Sequence, residues 1–315
     1  MAEPKIKLNS GYEMPVLGFG TWLLKGKEAV DAVGAALEAG YRHVDCATLY
    51  ENHEEVGVAL KKAMDAGKVK RDELFVTSKL WNTHHSREQA QAGLEEILKA
   101  LQLDYLDLML VHWPVGYREG GDFFPWEDEA KTVPAHSDVD YLVTWRVLEE
   151  AVAAGKVRSI GVSNFDVAQI KRVKASAKIQ PAVNQIEVSP YLQQTTFVKR
   201  CQKEDLVVTA YSPLANNGHA FRQAGQPDML EDEVLKSVGA QYGKTAAQVA
   251  LRWCLQQGLV ALAKSAQAAR MRENRALFDF ELTDEDERRI SKIDQDLRLL
   301  DLSARDGQHP LYPSF

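Results

Sequence analysis

A chain of 315 residues, 45% hydrophobic and 26% charged, can bury a large core, which excludes a disordered or low-complexity protein. Its 38 basic against 45 acidic residues give a formal charge of −7, which excludes nucleic acid as the main partner because phosphate contacts need clustered lysine and arginine. Three cysteines, Cys46, Cys201 and Cys254, are too few and too irregularly spaced for a disulfide framework or a zinc site. No signal-like apolar segment opens the sequence and no apolar run approaches about 18 residues, so a cytoplasmic protein away from membranes is expected.

Residues 5–15 alternate polar and apolar about Asn9-Ser10-Gly11, the pattern of a short hairpin. From there, strand-like runs alternate with helical patterns. Val16–Thr21 precedes a helix carrying Val30, Val33 and Leu37 on one face and stopping near Gly40. Tyr41–Asp45 precedes a helix with Val56, Leu60 and Met64 inward. Leu74–Lys79 precedes a helix capped by Ser86, with Leu94, Ile97, Leu98 and Leu101 inward. After Leu106–His112 comes a long aromatic stretch from Trp113 to Asp138, read as a lid or pocket wall, then a helix with Leu142, Trp145, Leu148 and Val152.

Val157–Ser163 is followed by a helix over 166–175, Ala182–Val188 by one over Thr195–Lys203, and Leu206–Tyr211 by helical material from Leu230 to Gln257. In that last stretch Thr245 and Gln248 have capping-box spacing. Gly258–Lys264 precedes a helix over Ala268–Leu277, a further helix starts near Thr283, and Arg298–Phe315 reads as irregular. Strand-then-helix repeated eight times, without a composition break, predicts one domain over 1–315 built as a (β/α)8 barrel, with an N-terminal β-hairpin and an extra C-terminal helix and tail. An open doubly wound sheet is the alternative, but Gly18-Phe19-Gly20 runs into Thr21 and Trp22 without the third glycine of a dinucleotide turn.

In such a barrel reactive groups sit at the C-terminal ends of strands. Asp45, Lys79 and His112 end three consecutive strands, and Tyr50 follows Asp45 on a loop. Singly, each residue type is more often structural. Together they make a site, because a lysine held charged by a carboxylate would favour phenolate and make a phenol of pKa about 10 a better proton donor. His112 could orient a carbonyl oxygen beside it. His84 and His85 are adjacent on a loop and suggest no metal site.

The chain resembles the aldo-keto reductases, most closely their aldose and aldehyde reductase group. The likeness runs in unbroken order through GFGTW (18–22), Gly40–Tyr50 with Glu54–Gly57, TSKLW (77–81), LVHWP (110–114), GVSNF (161–165), NQIE (184–187), AYSPL (210–214), Lys264–Ser265, and Arg270 with Glu273 and Asn274. It implies an NADPH-dependent reductase turning aldehydes, and some ketones or aldoses, into alcohols, with Tyr50 as proton donor and Asp45, Lys79 and His112 as its partners. It also implies that Ser163, Asn164 and Gln185 hold the nicotinamide carboxamide and that Tyr211 stacks on the ring. Thr21 and Trp22 line the same region, with Ser212 and Leu214 along the pyrophosphate. Lys264, Ser265 and Arg270 then take the adenosine 2′-phosphate, with Glu273 and Asn274 near adenine.

Trp22, Trp81, His112, Trp113 and either Phe124 or Trp126 would form the pocket for a small carbonyl substrate. Ala263 and Gln267 replace a proline and a threonine common in the phosphate motif, leaving NADH as a weaker cofactor. The loop ANNGHAFRQAGQP (215–227) lacks the serine and acidic residue that often clamp the cofactor, and the tail lacks the cysteine some members place beside the substrate. Nothing demands more than a monomer. Two other classes stay open at this stage: a nicotinamide-binding regulatory subunit on the same fold, acting through a protein partner, and an unrelated barrel isomerase or lyase.

Overall fold

Eight short parallel strands form a closed barrel: helical connections return the chain each time to the N-terminal end of the strands, each new strand pairs beside the one before, and the last pairs with the first. The computed structural model describes residues 3–215 and 221–315. Strands β1 (Lys5–Lys7) and β2 (Glu13–Pro15) pair antiparallel as the expected hairpin, turning at Gly11 with φ +90°. The barrel comprises β3 (Leu17–Gly20), β4 (His43–Asp45), β5 (Phe75–Leu80), β6 (Leu106–Val111), β7 (Val157–Ser163), β8 (Val183–Glu187), β9 (Val207–Tyr211) and β10 (Val260–Ala263), with β10 pairing β3 to close the ring. Most strands are trimmed at their ends relative to the apolar runs, since alternation does not say where pairing stops.

Helices α1 (Gly26–Glu38), α2 (His53–Asp65), α3 (Arg87–Leu101), α4 (Tyr141–Ala153), α5 (Val167–Ser176) and α6 (Thr195–Lys203) follow β3 to β8 in turn. Each lays an apolar stripe on the outside of the sheet, where Val44, Val76 and Met109 meet Leu60, Leu94 and Leu148 in one core. Ser86 caps α3 by accepting from the Gln89 amide. Gly57 of α2 lets that helix approach α3, because a Cβ there would lie 2.3 Å from the Ala100 carbonyl oxygen.

The helical stretch expected from Leu230 to Gln257 is two helices, α7 (Glu233–Tyr242) and α8 (Ala246–Gln256). Gly243 breaks them apart in a left-handed conformation, φ +65°, and Thr245 starts α8 with the expected capping box. Helix α9 (Ala268–Arg275) follows β10, and α10 (Asp284–Ser291) is the extra C-terminal helix. The tail is not wholly irregular: it holds one turn, α11 (Ser303–Asp306).

Inside the barrel, Leu8 and Met14 of the hairpin pack with Phe75, Leu108, Leu110, Val183 and Val260 and plug its N-terminal end. Side chains alternate across a strand, so Phe75 in this plug places Thr77 and Lys79 successively higher on the same inner face. That alternation aims the polar groups of the other rim into the barrel mouth.

Candidate active site

Lys79 is fully buried, and its ammonium donates to three oxygens: Asp45 Oδ1 at 2.5 Å, the Cys46 carbonyl at 2.9 Å and the Tyr50 hydroxyl at 3.3 Å. Gln185 Nε2 donates to the other Asp45 oxygen at 2.9 Å. A buried ion pair survives only when its remaining lone pairs and protons are matched, and here they are. Tyr50 sits in a single 3-10 turn, Thr48–Tyr50, tied to β5 by Thr48 Oγ1 donating to the Lys79 carbonyl at 2.9 Å. Two residues on, Asn52 Nδ2 donates to the carbonyls of Thr21 (2.7 Å) and Leu24 (2.9 Å), fixing this turn against the loop that carries Trp22. His112 follows β6 directly, its ring edge-on to Tyr50 at 6.1 Å and to Trp81 at 5.0 Å between centroids. All four expected residues converge at one rim; Lys79 lies one residue inside its strand rather than at the end.

The electrostatics correct one expectation. Tyr50 is held well above the ordinary phenol range, first by burial and then by the Asp45 carboxylate. The Lys79 charge is engaged with Asp45 at 2.5 Å and reaches the phenol only through the longer 3.3 Å contact, so it does not by itself make the phenol acidic. His112 is pushed well below the usual imidazole range by burial and then by Lys79. The site therefore holds a protonated phenol and a neutral imidazole.

Beside this group, Ser163 Oγ donates to the Gln185 carbonyl (2.9 Å), and Asn164 Nδ2 donates to Ser163 Oγ (3.1 Å) and to the His112 carbonyl (3.0 Å). The Tyr211 hydroxyl donates to Asn164 Oδ1 at 3.0 Å. Asn164 takes φ +59° and Ser212 φ +51°, left-handed conformations that cost free energy in a non-glycine residue and concentrate at binding sites.

A cavity of about 320 Å³ runs from Trp81, Trp113 and Phe124 past Tyr50, His112 and Asn164 to Leu214 and Lys264. Trp22 lines it, while Thr21, buried behind, donates to the Asp45 carbonyl at 2.8 Å. Trp81 is locked by Nε1 donating to the Phe123 carbonyl at 2.7 Å, and Trp113 stacks on Tyr312. Of the two candidates from the long loop, Phe124 faces the cavity. Trp126 does not; its ring lies under the Arg305 guanidinium, 4.9 Å away. The sequence reading missed Leu49, Phe221, Leu300 and Leu302, which also line the space. Leu49 was readable from its place beside Tyr50, but the tail leucines sit in a segment with no periodicity.

At the far end, Lys264 and Arg270 are exposed, and neither forms an ion pair among the described residues. Ser265 is buried, its Oγ accepting from the Gln267 amide at 3.0 Å as the chain enters α9. Glu273 accepts from Thr245 Oγ1 at 3.0 Å, and Asn274 is buried. The expectation about a cofactor clamp in 215–227 falls partly on residues 216–220, which lie outside the described residues.

Comparison with known proteins agrees over nearly the whole length. The profile of the Aldo/keto reductase family matches residues 16–295. "Aldo-keto reductase family 1 member A1" is 40% identical in both Pongo abelii and Homo sapiens, over 99% of this chain and 98% of each relative. Among solved structures, the aldose reductase from Schistosoma japonicum superposes with a TM-score of 0.92 at 38% identity, covering 98% of both chains. The Bombyx mori aldo-keto reductase in complex with NADP gives 0.89 at 37% identity, covering both chains completely.

Proposed function

From the premise that the chain belongs to the aldo/keto reductase family, we propose that it reduces aldehydes to alcohols with NADPH, using Tyr50 as proton donor and His112, Lys79 and Asp45 as its partners. The observation that carries the reading is the 3.3 Å contact between Tyr50 and a fully buried Lys79, at the floor of a cavity walled by aromatic rings.

The residues around the cavity suit a dinucleotide. Ser163, Asn164 and Gln185 offer donors and acceptors for an amide, and with Gln185 Nε2 held by Asp45 its carbonyl oxygen is the atom left to accept an amide N–H. Tyr211 offers a ring face, Ser212 and Leu214 flank the path of the pyrophosphate, and Lys264, Ser265 and Arg270 gather near the start of α9, where a phosphate dianion is favoured. Glu273 and Asn274 stand further along the same helix. The bound cofactor supplies the hydride, which the protein cannot.

What the chain supplies is orientation and a proton. Among the described residues the buried Nδ1 of His112 has no partner, and a neutral imidazole leaves an acceptor unpaired at less cost than an N–H. That places the hydrogen on Nε2, able to donate to a carbonyl oxygen and turn it toward Tyr50. Tyr50 then gives its proton to the developing alkoxide, and Lys79, held in place by its ion pair with Asp45, steadies the phenolate left behind. Trp22, Trp81, Trp113 and Phe124 hold the carbon skeleton through apolar contact.

NADPH over NADH is supported by Lys264 and Arg270, which form no ion pair among the described residues. One domain over 1–315 and a monomer rest on a site built wholly from one barrel. A cytoplasmic setting is supported by three free, buried cysteines. No helix among the described residues is long and apolar enough to cross a membrane. The regulatory-subunit reading gains no support from the relatives, which are named as reductases. Loss of NADPH absorbance on adding an aromatic aldehyde tests the proposal directly. A purified protein that binds NADPH but consumes none across aldoses, aliphatic aldehydes, aromatic aldehydes and steroid ketones would count decisively against it.

A further inference from the structure

Glu187 ends β8 on the rim that carries the site, yet none of the chemistry above uses it. It is 1% exposed, and both carboxylate oxygens are engaged by the tail: the Leu299 amide donates to Oε1 at 2.8 Å and the Leu300 amide to Oε2 at 2.9 Å. The Glu187 carbonyl accepts from Gln194 Nε2 at 2.6 Å, and Gln194 Oε1 accepts from Arg298 Nη2 at 3.0 Å, so the same stretch of tail is tied to the rim twice. Immediately beyond, Leu300 and Leu302 line the cavity and pack on the cluster of Trp81, Trp113, Val115 and Tyr117.

Irregular backbone has no ladder of its own to set its register. A buried carboxylate that takes two consecutive amides fixes both the position and the direction of the chain, and charged acceptors bind such amides more strongly than neutral ones. We propose that Glu187 is a positioning residue for substrate selection: its carboxylate holds residues 299–300 so that Leu300 and Leu302 form the outer wall of the substrate space. It thereby sets how large an aldehyde is accepted without touching the reacting atoms. This rests on the carbonyl-reductase reading.

The test compares a long aldehyde, 4-phenylbenzaldehyde, with a short one, propanal, in the full-length enzyme with NADPH. Glu187→Gln keeps the shape and one acceptor, and is expected to raise KM for the long aldehyde about tenfold. KM and kcat for propanal stay within about twofold. Leu300→Ala should show the same selective rise, and the double variant no more than the larger single effect, since both act on one wall. Equal changes for the two aldehydes, or additive effects, overturn the proposal. Amide exchange in the unmutated protein needs no variant: Leu299 and Leu300 should exchange slowly near neutral pH, and fast exchange there overturns the pinning. Should the unmutated enzyme reduce neither aldehyde, the reductase reading falls, while the exchange measurement still decides whether Glu187 holds the tail.

Discussion

Tyr50 must keep its proton until a carbonyl oxygen needs it, and its surroundings arrange that. Burial and Asp45 raise its pKa well above 10, while burial and Lys79 lower that of His112 well below 6.5. Both groups are therefore in the form that reduction requires throughout the neutral range. Reduction should vary little between about pH 6 and 8 and fall only as Tyr50 loses its proton at higher pH. A midpoint inside that window, in a pH profile of kcat/KM, would show the shift to be in the wrong direction. Tyr50→Phe removes the proton but leaves the cavity its shape, so kcat should drop about 10²–10⁴-fold. The dissociation constant for NADPH, read by fluorescence, should stay within about twofold; near-normal turnover would remove Tyr50 from the mechanism. At this scale the residues were legible: Asp45, Lys79 and His112 announced themselves where apolar strands ran into polar groups. The direction of the Tyr50 shift was not. It depends on how deeply packing buries the phenol and on Lys79 being engaged first by Asp45, distances that no local pattern encodes.

The elements that carry specificity were the least legible. Strand–helix alternation predicted the barrel and its order, and Ser86 and Thr245 marked helix starts by their side chains. The loop from Trp113 to Asp138 and the tail have no period, so only their aromatic content could be read. Which ring faces the cavity is decided by a contact between them. Arg305 stacks over Tyr117 at 4.2 Å and Trp126 at 4.9 Å and donates to the Pro125 carbonyl at 2.8 Å. Asp306, 1% exposed, accepts from the Tyr117 hydroxyl (2.5 Å), from His136 Nε2 (2.9 Å) and from Arg305 (3.2 Å). Asp306→Ala takes the acceptor from the buried Tyr117 hydroxyl and the charge partner from the half-buried Arg305, which should cost about 1–3 kcal/mol. A lower Tm together with a higher KM for aromatic aldehydes is expected, with the NADPH dissociation constant held; an unchanged KM would mean that the latch does not shape the pocket. At the opposite end, Lys264→Ala should narrow the NADPH-over-NADH ratio of kcat/KM by about tenfold through the loss of a charge-assisted phosphate contact. An unchanged ratio would move 2′-phosphate recognition elsewhere.

Across the whole molecule, the same burial that builds the site makes folding sensitive to acid. His43, His53 and His85 are buried and pushed down to about 4, mainly by loss of hydration, and His112 lies in the same direction. In the unfolded chain these imidazoles take up protons near pH 6.5, whereas in the fold His43, His53 and His85 do not until about pH 4, and His112 is displaced the same way. The unfolded state then binds more protons, so stability falls as pH drops through that interval. Two carboxyls oppose this. Burial raises Glu3 to about 7 and Glu187 above the usual carboxylate range, so the folded state holds protons there that the unfolded chain has released. His84 and His309 are lowered as well, mainly by burial, so the histidines outnumber the two opposing carboxyls and the balance favours proton uptake by the unfolded chain. Exposed pairs such as Lys61–Asp65 add little, since solvent screens them. The cofactor-free protein should therefore lose Tm steeply between about pH 6.5 and 5. His53→Gln, whose side-chain amide reaches the position of Nε2 and can keep the hydrogen bond to Ser78 Oγ (2.9 Å in the parent), should flatten that fall by about one proton's worth. A Tm that holds steady or rises on acidification would mean that the buried carboxyls, not the histidines, dominate the proton balance.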